Sequence, residues 1–365
     1  MSPASRTPRT PARFGDTARR ALSRRSLLGL AGAGLAASAL AACGSAITGK
    51  DSGGAGGSDA GGAPGTVRVG HLSSSLFAPL YIADAKTYFG DAGITIELVP
   101  LKSGQDGVPM LANGQLDVMV AGFSAGMFNA LEQGLAFKIV GSMGISPGDP
   151  ANSPSALMVR KALSDDGSVK DVAALKGRTV GVAGGPGATG GYLLATMLEE
   201  GGLTLSDVTV SNLATPDQQA ALQNGSVDAA LPSAPFSTAI ESEGIGVPLA
   251  VPAKGVTGTG VVYSEKFLGT DLAQPFFTAL TKGAQELTAD GPQSDEVYQI
   301  LAEATGQKLE VLKASPMYTY LPDLAPQPDQ LEAMQKVWMA AGQITYTEPL
   351  AVADIVDEKF AKNAG

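Results

Sequence analysis

A single cysteine and a single histidine are present in 365 residues, and each scarcity removes a class of chemistry. One histidine cannot build a histidine metal cluster, and any Ser-His-Asp triad would have to be assembled around His71. One cysteine, Cys43, allows no disulfide within the chain and no cysteine metal site. Basic residues are few, 25 against 35 acidic ones for a net charge of −10, which argues against a nucleic-acid partner. Long apolar runs are lacking too. The uncharged stretch Leu27 to Ala42 has 16 residues, short of the roughly 20 needed to span a bilayer.

What surrounds that stretch gives it a meaning. The preceding residues carry Arg6, Arg9, Arg13, Arg19, Arg20, Arg24 and Arg25 against one acid, Asp16, the flank of an export signal. Ser23-Arg24-Arg25-Ser26-Leu27-Leu28 resembles the twin-arginine export signature. Leu40-Ala41-Ala42-Cys43-Gly44 resembles a bacterial lipobox, in which the chain is cleaved before the cysteine and lipid is attached to its thiol. Each buried CH₂ of an acyl chain contributes about 0.8 kcal/mol, so several chains on Cys43 would hold the protein at a membrane. Residues 1–42 are therefore expected to be an export signal. Residues 43–65, rich in Gly, Ala, Ser and Asp, are expected to be a flexible tether of about 25 Å typical span. Cleavage would take seven arginines and one aspartate from the chain and move the net charge from −10 to −16.

The remaining body reads twice. Residues 69 to 144 recur at a fixed offset of 111 positions in residues 180 to 255. Val69-Gly70 matches Val180-Gly181, Tyr81 matches Tyr192, and Asn113, Gly114 and Asp117 match Asn224, Gly225 and Asp228. A register held without a gap over that distance points to duplicated architecture, hence two like lobes with a ligand cleft between them. Within each copy, short apolar runs alternate with helical patterns, which implies α/β lobes with parallel sheets covered by helices. One helix is expected over Ala78 to Phe89 and strands over Ile94 to Leu101 and Val227 to Leu231. Asn113-Gly114 and Asn224-Gly225 read as helix stops. Asp117 and Asp228 read as surface or capping residues, and Trp338, in the helical region beyond Asp271, as a core aromatic.

The order and spacing of Ala78-Pro79-Leu80-Tyr81-Ile82-Ala83, Ala92-Gly93-Ile94 and Leu111-Ala112-Asn113-Gly114-Gln115-Leu116-Asp117-Val118 in the first copy resemble solute-binding proteins of ABC importers. Leu175-Lys176-Gly177-Arg178-Thr179-Val180 and Ala221-Leu222-Gln223-Asn224-Gly225 carry the likeness through the second copy. The family is the one for aliphatic sulfonates, nitrate, taurine and thiamine precursors. The resemblance implies two doubly wound lobes joined by hinge strands, the type II periplasmic-binding architecture with C-terminal helices. It divides the body into lobe 1, residues 66–155 plus 262–365, and lobe 2, residues 156–261. Hinge strands are expected near Pro154 to Val159 and Gly258 to Tyr263. It also implies a monomer that captures a small-molecule solute, delivers it to an importer permease, needs no cofactor and catalyses nothing.

In doubly wound sheets the ligand lies beyond the carboxyl ends of the strands, against helix N-termini. The candidate binding residues of the first lobe are Ser73, Ser74, Ser75 and Phe77 after the first strand, with Gly122, Phe123 and Ser124 after the third. In the second lobe they are Gly185, Gly187, Ala188 and Thr189, with Pro235 and Phe236 after that lobe's third strand. Closure is expected to bring the Ser73 and Thr189 loops together. These tips hold hydroxyls, glycines and aromatic rings but no Arg, Lys or carboxylate, a set compatible with a sulfonate or a flat neutral heterocycle and less so with the ammonium of taurine.

Two motifs point elsewhere. Gly44 to Asp51 mimics a phosphate loop but ends in Asp where Ser or Thr should hold magnesium. Gly185-Pro186-Gly187-Ala188-Thr189-Gly190 is a G-x-G-x-x-G between strand and helix, which opens the alternative of an exported dinucleotide-binding oxidoreductase. A ribose would need an acid at the end of the next strand, and that strand ends Ser211-Asn212-Leu213. A ligand sensor of the same fold is the other alternative.

Overall fold

The computed structural model describes residues 65–287 and 292–364. The export signal, Cys43 and nearly all of the tether lie outside the described residues.

Among the described residues, ten strands form two five-stranded sheets. β1 (Thr66–His71), β2 (Thr95–Pro100), β3 (Val118–Gly122), β4 (Phe137–Ser142) and β10 (Thr259–Ser264) build the first, in the order β2-β1-β3-β10-β4. β5 (Leu157–Arg160), β6 (Thr179–Val182), β7 (Thr209–Asn212), β8 (Ala229–Ala230) and β9 (Gly246–Ala250) build the second, in the order β7-β6-β8-β5-β9. In each sheet four strands point the same way and one inner strand, β10 or β5, is antiparallel to both its neighbours. That antiparallel strand is supplied by chain arriving from the other lobe.

The duplication is visible at the level of single pairs. Val69 aligns with Val118 and Gly70 with Met119 in the first sheet; 111 positions on, Val180 aligns with Ala229 and Gly181 with Ala230 in the second. Helices obey the same offset. α1 (Ala78–Ala85), α2 (Gly104–Ala112) and α3 (Ala125–Glu132) correspond to α4 (Thr189–Leu198), α5 (Thr215–Asn224) and α6 (Phe236–Ser242). Ser103 and Ser124 cap α2 and α3 by accepting the N–H groups of Asp106 and Met127. Gly225 ends α5 in the left-handed conformation that a side chain would resist.

The acids ahead of β3 and β8 have matching tasks. Asp117 accepts the backbone N–H of Arg68 at 2.9 Å, and Asp228 that of Thr179 at 3.0 Å, each tying the start of its strand to the neighbouring one. Asp117 also holds the Arg68 guanidinium at 3.0 and 2.9 Å.

Two elements differ from expectation. The helix anticipated over residues 78–89 breaks at Thr87, whose φ of +60° is incompatible with helix, and restarts over Tyr88–Asp91. The third strand of the second lobe shrinks to two residues: at its start Val227 N–H turns back to Ala221 O of the preceding helix, and at its end Pro232 cannot donate to a ladder.

The C-terminal region completes the core. α7 (Ala273–Gln285) packs on α1, and α8 (Pro328–Ala340) lies against α3 and α4, one helix from each lobe. Trp338 on α8 is fully buried, its ring 5.8 Å from Phe128 and 6.2 Å from Tyr192. No described helix is long and apolar enough to cross a membrane.

Candidate functional site

The site is where the chain changes lobes. Residues 143–156 lead from β4 to β5, and residues 251–258 lead back from β9 to β10. These crossings run side by side: Ser146 N–H donates to Val256 O at 2.9 Å and Gly255 N–H to Ser146 O at 3.0 Å. The residues expected to be the hinge, Pro154 to Val159 and Gly258 to Tyr263, belong mostly to β5 and β10 themselves, and the crossings start earlier. A third segment joins them, because Thr319 and Ile145 exchange backbone bonds at 2.9 and 3.1 Å. That pairing delivers Tyr318 to the junction.

A small cavity, partly open to solvent, lies at this junction. Leu76 borders it from the first lobe, Leu193 from α4, Val256 from the return crossing and Tyr318 from the C-terminal segment. No charged side chain lines it. Tyr318 Oη and Ser155 Oγ are 2.7 Å apart, and Ser155 is held in register by an isolated antiparallel bridge to Ser233. Burial pushes the Tyr318 hydroxyl up to about 12, so it stays protonated at neutral pH.

The second-lobe loop ahead of α4 meets the first lobe directly. Thr189 Oγ1 donates to Gly258 O at 2.8 Å and is 3.0 Å from Phe123 O. Ser124 and Ala188 form an antiparallel bridge, and Ala125 N–H donates to Gly187 O at 2.8 Å. Glycine is required for this approach. A Cβ on Gly122 would stand 2.5 Å from Thr189 Oγ1, and one on Gly258 2.5 Å from Thr189 Cγ2.

Of the binding residues expected from sequence, Thr189 alone lines the cavity. Gly122, Phe123, Ser124, Gly187 and Ala188 gather around Thr189 at the contact between lobes. Ser73 is exposed, Ser74 caps a short turn by accepting the Leu76 N–H, and the Ser75 carbonyl accepts the Tyr320 hydroxyl at 2.5 Å. Phe77 is buried in the lobe 1 core rather than facing the cleft. Gly185 is buried in the turn after β6, and Pro235 and Phe236 open α6. The partner of Thr189 is thus the Phe123 and Gly258 backbone, where the Ser73 loop was expected; the reach of the 122–124 turn decides this.

Sequence reading missed Tyr318, Ser155, Ser146 and Thr257. All four sit in stretches without regular secondary structure, and no local pattern marks a residue that long-range pairing places in a cavity. His71, the residue around which any triad would have to be built, is buried in lobe 1. Tyr81 donates its hydroxyl hydrogen to Leu72 O at 2.7 Å, so the hydrogen between the two rings, 2.9 Å from Nδ1 to Oη, belongs to His71. Burial lowers the His71 pKa.

The G-x-G-x-x-G loop is occupied by the protein itself: besides the Ala125 bond to Gly187, Trp338 Nε1 donates to Pro186 O at 3.1 Å. β7 ends at Asn212, so no acid stands where a ribose would be held.

Comparison with known proteins places this geometry. The alkanesulfonate-binding protein SsuA of Xanthomonas axonopodis pv. citri, solved with MOPS bound, is 20% identical with a TM-score of 0.64, over 82% of this chain and 100% of its own. The periplasmic nitrate-binding protein NrtA of Synechocystis PCC 6803 is 14% identical with a TM-score of 0.68, over 82% of this chain and 88% of its own. The desulfurization enzyme DSZB has the same fold at 16% identity and a TM-score of 0.55, over 82% of this chain and 98% of its own. No curated protein sequence matches. The model of the NMT1/THI5-like family matches residues 74–294, more than half of the chain. With two pseudo-equivalent lobes of type II periplasmic-binding architecture around a hinge cavity, the chain belongs to the NMT1/THI5-like family.

Proposed function

We propose that this protein is the extracytoplasmic solute-binding component of an ABC importer, anchored by lipid on Cys43 and free to reorient on its tether. The two lobes are built on the two sheets and divide at the crossings, residues 143–156 and 251–258, which puts all of β10 (Thr259–Ser264) in lobe 1, and the working form is a monomer that docks on an importer permease. The observation that carries this reading is the uncharged cavity at the crossing of two matched lobes, with the Thr189 contact joining them at its edge. Solute held there would favour the closed arrangement, and release would follow opening about the crossings. The solved neighbours named for alkanesulfonate and nitrate support this class of role. The chemistry asked of the site is binding, and no cofactor enters it.

DSZB makes an enzyme the competing reading. The lone histidine does not line the cavity and is bonded to Tyr81, which counts against acid–base chemistry there.

Thermal unfolding of the purified protein against alkanesulfonates, nitrate, taurine, thiamine pyrimidine, NADH and FAD tests the proposal. A ligand at 100 times its dissociation constant stabilises by about 2.7 kcal/mol, a shift of several degrees. One small solute should raise the midpoint; a response to NADH or FAD alone would replace the proposal with an exported oxidoreductase. Anchoring is tested separately, since Cys43→Ser should move the protein from the membrane fraction to the medium.

A further inference from the structure

The cavity wall can be read hydrogen by hydrogen. Seven hydroxyl-bearing side chains line it, and each brings one hydrogen and two lone pairs. Ser146 Oγ donates to Pro252 O at 2.6 Å, and Ser153 Oγ to Ser155 O at 2.7 Å. Thr257 Oγ1 donates to Gly144 O at 2.8 Å, so the contact of 3.5 Å between Thr257 and Thr259 uses the hydrogen of Thr259. Thr189 donates across the cleft to Gly258 O. Ser155 and Tyr318 share one of their two hydrogens. Six of seven hydroxyl hydrogens therefore end on atoms of the protein, and the Ser155–Tyr318 pair, with Ser233 also bonded to Tyr318, carries the remaining one, so the side chains of the wall offer a solute more hydroxyl lone pairs than hydroxyl hydrogens.

Such a wall is poorly matched to an anion. Alkanesulfonate or nitrate oxygens would need several donors, and the side chains here present mostly hydroxyl oxygens whose hydrogens are already used, with no basic side chain among the lining residues to offset desolvation. A cation would find acceptors but no carboxylate. An uncharged molecule bearing N–H or O–H groups satisfies the lone pairs, and its apolar part can rest on Leu76, Leu193 and Val256.

We infer that the solute is a small uncharged organic molecule that donates hydrogen bonds, recognised at its polar end by the Tyr318–Ser155 pair. This rests on the solute-binding reading above and narrows it away from sulfonate and nitrate.

The test is calorimetric titration of the whole protein with cytosine, nicotinamide and myo-inositol as uncharged donors, and with ethanesulfonate and nitrate as anions. Binding of an uncharged probe, weakened about fivefold to tenfold by Tyr318→Phe with little change in the unliganded melting temperature, is the expected result. Should Tyr318→Phe fail to fold, Ser155→Ala takes its place with the same expected loss. Binding of ethanesulfonate or nitrate in preference to every uncharged probe would overturn the inference and leave the solute-binding reading intact. An uncharged probe bound equally by wild type and both variants would remove the Tyr318–Ser155 pair from recognition. If no probe of either class bound, the solute-binding reading would fall and the inference with it.

Discussion

Trp338 donates its indole N–H to the carbonyl of Pro186 at 3.1 Å, joining residues 152 positions apart in the chain. The indole is fully buried against Phe128 of lobe 1 and Tyr192 of lobe 2, so α8 is a strap held by both lobes. Tyr192 extends the attachment by donating to Gln330 Oε1 at 2.9 Å.

Removing that strap residue should be costly. Trp338→Ala is expected to lower stability by about 3–5 kcal/mol, and Trp338→Phe, which keeps one ring but loses the donor and part of the packing, by about 2–3 kcal/mol. Urea unfolding checks both. A loss below about 1 kcal/mol for alanine would mean that the site collapses without strain and the strap carries little.

The matched aspartates should not be equivalent. Asp117 accepts from Arg68 in two-pronged geometry with both side chains mostly covered, whereas Arg160 and Arg178 reach Asp228 only at 3.6 and 3.5 Å and are more exposed. Asp117→Ala is expected to cost about 2–3 kcal/mol and Asp228→Ala about 1 kcal/mol. Equal losses in chemical denaturation would show that the shared backbone bond dominates and the arginine geometry does not.

His71 gives the stability a pH dependence that one variant isolates, because it is the chain's lone histidine. Burial lowers its pKa in the folded state, so the unfolded chain binds the proton more readily. Stability is then full above the ordinary value of 6.5 and falls as pH drops from there toward the lowered folded value. His71→Gln should flatten the fall in stability that begins below pH 6.5 in wild type. An unchanged slope would assign the dependence to carboxylates.

Thr189 bridges the lobes with one hydroxyl. Thr189→Ala removes the bonds to Phe123 and Gly258 without emptying a core, so the unliganded midpoint should move by no more than a few degrees. The open form should gain population, seen as a larger radius of gyration in solution scattering, and solute affinity should fall about tenfold. Wild-type affinity and dimensions would show that other contacts hold the lobes closed.

The doubled α/β plan was legible because it is written in local periodicity. The stops at Gly114 and Gly225, both in left-handed backbone, and the acids before β3 and β8 recur at the same offset, and each acts on residues close in sequence or in the adjoining strand. Even there, local pattern overran: it carried one helix through Thr87, where the backbone turns left-handed. Phe77 shows the limit for the site. Its position after β1 fits a cleft residue, yet the core beneath α1 takes the ring.

By itself the sequence determined the class of each element, the duplication and the residue types available at the strand ends, since these follow from patterns a few residues long. Only the tertiary structure decided that Thr189 meets Phe123 and Gly258, that Trp338 straps the loop at Pro186, and that Tyr318 reaches Ser155. Those partners lie 66 to 163 positions apart. Bringing them together costs chain entropy that only the packing of both sheets and the C-terminal helices offsets, so no short stretch of sequence encodes them.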